Sequence, residues 1–339
     1  MTTGPRTPPL IRFPKACAAD ANTAMDQLFE VFTDQYPALV DEDASHWTFA
    51  RSWPCDPSWY VDPYIEHNAR IVYDCDLSHL ASYSVVDVVA GIPIVFAMFH
   101  SRALLAPALA YELHGVTHLP TIVHVDDHAD LMPALVTLRS GMLLESTSQR
   151  CIDLDNRDSI ERAIDEGSIN IGNFLTAYML GKPSGRYIHV RRGGENTTTL
   201  VAPCVQHVVL ADCQIEATAL EPVTSAGPDR WVLEEAQRLP VKLDDGIGAV
   251  WLDVDMDGFC NRYDGDSNRS DRQGTERERA MTHRNIEEFL SDLQAAPWTH
   301  RIGAVSIAAS PGFFPSDLWQ DMIPMVRRGI EDALATGGR

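Results

Sequence analysis

Short apolar runs alternate with amphipathic segments over most of the chain, and this alternation predicts its secondary structure. Residues 84–98 contain two apolar runs, SVVDVVAG and IPIVFAM, joined by a Gly-Ile-Pro turn. TIVHV at 121–125 is a third run, and apolar residues at 25, 28, 29 and 32 have helical spacing. Further strands are predicted at 186–190, 205–210, 246–252 and 301–310, and further helices at 276–293 and 318–334. Strands that alternate with helices indicate a mostly parallel sheet, so the predicted fold class is α/β, a three-layer α/β/α sandwich.

Two regions lack this alternation. Residues 35–80 carry tryptophans and tyrosines among prolines and acids, and we predict an irregular segment there. Residues 133–166 are predicted to be mostly helical or irregular. The predicted organisation is an N-terminal extension over residues 1–80 that packs on a core domain over residues 81–339, with both parts in one structural unit.

The formal net charge of −21 narrows the range of partners. Nonspecific nucleic-acid binding needs clustered Lys and Arg, whereas an acidic surface fits a cationic substrate or metal ions. No apolar run approaches the ~18 residues of a membrane span, and the N-terminus lacks an apolar signal segment. Seven cysteines form no C-x-x-C pair, which disfavours a disulfide scaffold or zinc ribbon. We expect a cytoplasmic protein that binds neither nucleic acid nor membranes.

The segment TIVHVDDHADLM at 121–132 ends an apolar strand with three ligand-type side chains, Asp126, His128 and Asp130. In an extended strand end, residues two apart point the same way, so the three side chains converge. Two carboxylates and one imidazole on one face make half of a metal site. The alternative is a charged loop after a strand.

A second acidic cluster follows the predicted strand at 246–252. Asp253, Asp255 and Asp257 again alternate, in DVDMDGF. The same letters begin an EF-hand calcium loop, with Asp264 at the closing position. That alternative is disfavoured because an EF-hand needs a helix before the loop and normally a Glu at its end.

His100 ends the strand IPIVFAM and precedes a predicted helix. It lies 126 − 100 = 26 residues before Asp126, about the length that one helix and a loop need to return to a neighbouring parallel strand. Three other histidines are ranked below it, His114, His118 and His124. The carboxyl ends of parallel strands lie at the same edge of a sheet. Six side chains are therefore expected to meet there, and so many ligands imply two metal ions. They are His100, Asp126, His128, Asp130, Asp253 and Asp255.

These motifs resemble the arginase and deacetylase superfamily, the ureohydrolases, whose members carry a strand-end His, then V-D-x-H-x-D, then D-x-D. The matching stretches here are AMFHS, VDDHAD and LDVD. The resemblance implies an arginase-like catalytic domain over residues 81–339 and two manganese ions with a bridging hydroxide. It assigns the first ion to His100, Asp126, Asp130 and Asp253. It assigns the second ion to His128, Asp126, Asp253 and Asp255.

Asp130 distinguishes the branches of this superfamily, because single-zinc deacetylases lack that second carboxylate. The stretches SINIGN and SPGF add a similarity to the peptide arginases, which convert arginine residues within peptides to ornithine and release urea. The loop after VDDHAD contains no His, unlike the loop with which arginases bind free arginine. The resemblance implies an arginine-containing peptide as partner, and Asp130 as the catalytic residue.

Other roles and functions stay open at the sequence level. Asn173 and Glu166 are candidates for binding the substrate, with Glu145 and Glu161 as further acids close in sequence. One alternative function is a metal-dependent deacetylase or amidohydrolase acting on an acyl-amine. A second is a non-catalytic, metal-stabilised protein that binds a peptide. Monomer and homo-oligomer both remain open.

Overall fold

A computed structural model describes residues 10–32, 34–53, 57–182, 184–210, 213–224, 230–240, 242–243, 248–266 and 274–337. The strands are β1 (Leu10–Pro14), β2 (Tyr36–Glu42), β3 (His46–Ser52), β4 (Ser84–Val89), β5 (Ile92–Ala97), β6 (Thr121–Val125), β7 (Val136–Arg139), β8 (Met142–Glu145), β9 (Cys151–Ile152), β10 (Gly185–Val190), β11 (Thr197–Leu210), β12 (Cys213–Pro222), β13 (Trp231–Ala236), β14 (Val250–Asp255) and β15 (Ile302–Ala308). The helices are α1 (Ala21–Val31), α2 (Ile65–Tyr73), α3 (Leu77–Leu80), α4 (Leu105–His114), α5 (Arg157–Asp165), α6 (Phe174–Gly181), α7 (Glu276–Ala295) and α8 (Trp319–Gly337).

A nine-stranded sheet forms the centre of the molecule, in the order β12-β11-β13-β10-β6-β14-β15-β5-β4. The neighbours from β13 to β5 all pair in parallel. The outer strands β4, β11 and β12 pair antiparallel. The mixed α/β class with a mostly parallel central sheet is therefore confirmed.

Both faces of this sheet carry apolar residues, because successive residues of a strand point to opposite faces. Val123 and Val125 belong to an apolar cluster that includes residues of α7 and α8. Ile122 and Trp251 belong to a second cluster, with residues of α4, α5 and α6. The predicted helices at 276–293 and 318–334 are α7 and α8, and they flank the sheet.

The strand that precedes His100, β5, was predicted to lie beside β6 in the sheet, and it does not. β5 and β6 are joined through α4, but β14 and β15 lie between them in the sheet. The prediction that 26 residues return the chain to a neighbouring strand is therefore wrong. The connection instead crosses two strand positions in the sheet. The strands β14 and β15, which come much later in the chain, occupy these positions.

The two segments without a clear pattern hold more regular structure than predicted. Within residues 35–80, β2 and β3 form a three-stranded antiparallel sheet with β1, and α2 and α3 follow. Within residues 133–166, β7, β8 and β9 form a second small sheet. These strands are short, and β2 contains a register shift, so period-two alternation is too weak to indicate them.

The N-terminal sheet packs on the rest of the chain through its own apolar cluster. Phe13, Leu28 and Phe49 are buried there together with Leu135 and Ala217 from the later part of the chain. Among the described residues, no helix is long and apolar enough to cross a membrane.

Candidate metal centre

Four neighbouring parallel strands, β6, β14, β15 and β5, bring the predicted ligands to one edge of the sheet. Asp253 of β14 lies opposite His124 of β6 on one side and Ser306 of β15 on the other. The next row, two residues further on, contains Asp255. Helix α6 covers this face, since the Phe174 ring lies 4.6 Å from the His100 ring. Parallel pairing therefore builds the site from residues far apart in sequence.

His100 lies at the centre of this cluster and is only 2% exposed. Its Nε2 lies 3.0 Å from Asp253 Oδ2. Its Nδ1 lies 3.1 Å from Asp126 Oδ2, 2.9 Å from Asp130 Oδ2 and 2.8 Å from Asp255 Oδ2. The structure thus brings together the four residues assigned by resemblance to the first ion, with Asp255 beside them.

The donor atoms of this cluster fit a metal cation. His100 Nδ1 and Asp130 Oδ2 are buried and have no hydrogen-bond partner. Buried polar atoms are rarely left unpaired, and three carboxylate oxygens around one imidazole nitrogen form an oxygen-rich set with one nitrogen. Together with Asp253 and His124, these residues form a buried cluster that could hold metal ions.

His124 belongs to this cluster, although the sequence ranked it below His100. It is fully buried, and its Nδ1 lies 2.8 Å from Asp253 Oδ2. Its Nε2 lies 3.0 Å from the carbonyl oxygen of His128, which can only accept a hydrogen bond, so Nε2 is the donor. The sequence did indicate this position, because His124 and Asp126 point to the same face of the strand. The position one pleat deeper, which lowered its rank, still faces the ligands.

His128 lies on the outer side of the cluster, and its side chain is 39% exposed. Its Nδ1 lies 3.0 Å from Asp257 Oδ2 and 3.6 Å from Asp126 Oδ1. Asp126, His128 and Asp257 form a group that could hold a metal ion. This group contains Asp257 as a ligand, in place of Asp253 and Asp255, which the resemblance assigned to the second ion.

The close charges shift the pKa values of these groups. Burial raises the pKa of Asp253, but His100 and His124 outweigh it and hold that pKa at about 2. Burial and the neighbouring Asp126 raise the pKa of Asp130 to about 6. Hydrogen bonds to Asp126 and Asp257 raise the pKa of His128 to about 12. The cluster contains carboxylates of very different proton affinity.

Two serines support the acids of β14, Ser306 within the neighbouring strand β15 and Ser310 just after it. Ser306 Oγ donates to Asp253 Oδ1 and accepts a hydrogen bond of 2.7 Å from Trp251 Nε1. Ser310 Oγ donates to Asp255 Oδ2. These bonds fix the carboxylate planes, as hydrogen bonds to ligating carboxylates do in metal sites.

The two candidate substrate-binding residues make their contacts elsewhere. Asn173 is buried, its Oδ1 accepts a bond from the Asn170 backbone, and its Nδ2 donates to the Pro133 carbonyl. Glu166 lies 2.5 Å from Arg150 Nη1. Burial and the neighbouring Glu145 raise the pKa of Glu166. Neither side chain is brought into contact with the metal-ligand cluster by these bonds.

The EF-hand alternative does not agree with the geometry. The strand β14, not a helix, leads into the acidic motif, and a short 3-10 turn at Met256–Gly258 follows it. Asp253 and Asp257 contact different histidines, instead of surrounding one common point.

A comparison with models of protein families finds no match, and a comparison with curated proteins finds none either. The class of the protein therefore rests on its fold and site. It is a mixed α/β protein with a buried His/Asp cluster, at the carboxyl edge of a mostly parallel sheet, that could hold metal ions.

Proposed function

We propose that this protein is a metal-dependent hydrolase that cleaves the guanidinium group of arginine residues in a peptide, giving ornithine and urea. The observation that carries the proposal is His100 Nδ1, which is buried without a hydrogen-bond partner between Asp126, Asp130 and Asp255. An arginase-like, three-layer domain and a cytoplasmic location are parts of the same proposal. The free thiols of Cys75 and Cys151 agree with a reducing location.

Two manganese ions are the proposed cofactors. His100, Asp126 and Asp130 would hold one, and Asp126, His128 and Asp257 would hold the other. His100 also forms a third ligand group with His124 and Asp253, through its other ring nitrogen. The bound ions would supply Lewis acidity and lower the pKa of a nearby water toward neutrality. The supporting observation is that Asp126 belongs to two of the three ligand groups in the cluster.

Asp130 is the proposed catalytic residue, and its task is proton transfer. Its Oδ2 is buried without a hydrogen-bond partner, which leaves this oxygen able to accept a proton at the site. It takes the proton of the water that attacks the guanidinium carbon and gives it to the leaving nitrogen. One C–O bond forms and one C–N bond breaks, so that water and the arginine side chain yield urea and the ornithine amine.

The preference for a peptide rests on the loop after VDDHAD and on charge. Residues 131–148 contain no His, and part of them forms β7 and β8. A substrate whose α-amino and α-carboxyl groups are in peptide bonds does not need a loop that binds those groups. The net charge of −21 favours a cationic substrate over an anionic one.

One observation favours a second candidate, a deacetylase or amidohydrolase acting on an acyl-amine. His100 Nε2 and His124 Nδ1 both face Asp253 Oδ2, at 3.0 and 2.8 Å. Two imidazoles and one carboxylate are a sufficient ligand set for a single metal ion that cleaves an amide.

The experiment is to incubate the manganese-loaded protein with arginine, agmatine, an arginine-containing peptide and an acetyl-lysine peptide, and to measure urea and acetate. Urea from the peptide, with the loss of one amidine group per modified arginine by mass spectrometry, is the expected result. Asp253→Asn is the negative control. Acetate without urea would replace the proposal with the amidohydrolase, and no product from any substrate would reject both.

A further inference from the structure

The two ring nitrogens of His128 face two different acids. Nδ1 faces Asp257 at 3.0 Å and Asp126 at 3.6 Å, on the inner side. Nε2 lies 3.3 Å from Asp264 Oδ1, on the outer side. The His128 side chain is 39% exposed, whereas His100 and His124 are buried. Burial alone therefore does not fix the orientation of this ring.

Asp264 reaches His128 from a loop that local bonds hold in one conformation. The Asp264 backbone N–H donates to Asn261 Oδ1 at 2.8 Å, and Asn261 Nδ2 donates to Asp264 Oδ1 at 3.2 Å. Asp264 has a φ of 55°, in the left-handed region that Asp and Asn adopt more readily than most other residues with a side chain. The side chain is thus directed by its own backbone and by Asn261.

The same loop is anchored to the interior on both sides of Asp264. Arg262 is 5% exposed and forms ion pairs with Asp317 and Glu278. Its backbone N–H donates to Phe313 O, and the N–H of Gly265 donates to Gly312 O. The Phe313 ring packs edge-on against the His128 ring, with 5.3 Å between the centroids. The acid and the ring it faces are therefore held by one common framework.

We infer that Asp264 is a positioning residue for the second metal ion. Asp264 Oδ1 accepts the Nε2–H of His128, and this fixes the tautomer in which the Nδ1 lone pair faces Asp126 and Asp257. Histidines that bind metals commonly donate their other N–H to a carboxylate in this way. The inference rests on the proposed function, since it assumes an ion at His128, but it concerns metal binding and not the substrate.

The test compares Asp264→Gly and Asp264→Asn in the full chain. Glycine tolerates a positive φ, so Asp264→Gly removes the acceptor without straining the backbone. Asparagine also tolerates this φ and keeps a side-chain oxygen that accepts a hydrogen bond. Asp74→Gly is the matched control, because Asp74 is exposed, has a φ of 49° and carries the same charge.

The metal-free variants are titrated with Mn²⁺, and bound ions are counted together with the spin coupling seen in electron paramagnetic resonance spectra. In Asp264→Gly the second ion should bind about 10- to 100-fold more weakly, while the first ion binds as in the wild type. Asp264→Asn should recover most of the affinity, and Asp74→Gly should match the wild type.

Two results would overturn the inference. One is a second ion bound equally well by Asp264→Gly and the wild type, and the other is an Asp264→Asn variant as weak as Asp264→Gly. The urea assay, run in parallel, separates this inference from the proposed function. A wild-type protein that releases no urea but loses its second ion in Asp264→Gly supports the inference and rejects the guanidine hydrolase. Urea release by the wild type, with unchanged metal binding in Asp264→Gly, supports the guanidine hydrolase and rejects the inference.

Discussion

At the scale of single residues, two histidines on the neighbouring strands β6 and β10 differ in the groups that their ring nitrogens face. His124 and His189 lie opposite each other on neighbouring strands, with ring centroids 5.4 Å apart. His189 Nε2 donates to the backbone carbonyl of Asp126, and burial lowers the pKa of His189 to about 4. His124 instead directs Nδ1 at the Asp253 carboxylate. Of these two facing histidines, His124 is therefore the one with a nitrogen directed at the carboxylates of the cluster.

Because of this difference, we expect replacement by Gln to weaken Mn²⁺ binding at His124 but not at His189. His124→Gln should weaken Mn²⁺ binding at the buried cluster around His100 by about 10-fold or more, because the Asp253 carboxylate loses its contact with His124 Nδ1. His189→Gln, in the same row of the sheet, keeps a donor for the Asp126 carbonyl and should leave Mn²⁺ binding close to that of the wild type. Isothermal titration with Mn²⁺ measures both. Equal affinities in the two variants would contradict the assignment of His124 to the metal centre.

At the scale of elements, the turn after β14 passes close to the end of β6. A Cβ added at Gly258 would lie 2.9 Å from Asp126 Cα, which is backbone and cannot rotate away. The turn begins with Asp255, whose Oδ1 accepts a bond of 3.1 Å from the Asp257 backbone. This close approach sets the distance between the two acidic motifs.

Gly258→Ala should therefore push the turn away from Asp126. We expect a loss of stability of about 1–3 kcal/mol from overpacking, together with weaker metal binding. Gly303→Ala is the control, since its nearest atom is the side-chain end Leu119 Cδ2 at 3.0 Å. Urea denaturation of the metal-free proteins and Mn²⁺ titration give the two readouts. A Gly258→Ala variant as stable as Gly303→Ala, with full Mn²⁺ binding, would show that the two backbones have room to separate.

At the scale of the whole molecule, the N-terminal extension is tied to the rest of the chain by packing and by hydrogen bonds. Leu28 is fully buried in the cluster that contains Leu135. Asp34 Oδ2 accepts a bond of 2.8 Å from the Ile171 backbone. Arg51 Nη2 donates to the Glu166 carbonyl at 2.7 Å. The division at residue 80 remains a prediction about folding units.

We expect the chain to unfold in one cooperative transition. Leu28→Ala should lower the free energy of unfolding by about 2–5 kcal/mol and shift the circular dichroism and tryptophan fluorescence transitions together. Leu113→Ala, at a leucine that is 47% exposed, should change it by no more than about 0.5 kcal/mol. Two separate transitions, with only one shifted by Leu28→Ala, would indicate an independently folding extension.

The sequence by itself determined which apolar runs form the central strands and which acids stand at their carboxyl ends. Period-two alternation and apolar runs are local properties, so the strand end before Asp126 could be predicted directly. β14 continues to Asp255, beyond the predicted end at residue 252. Tertiary structure alone decided the strand order, which places β14 between β6 and β15. It also decided that His124, Asp257 and Asp264 join the cluster. Their contacts depend on pairing between strands and loops about 130 residues apart, for example the 129 residues between His128 and Asp257. No local pattern specifies such a register, because it follows from how the whole sheet packs.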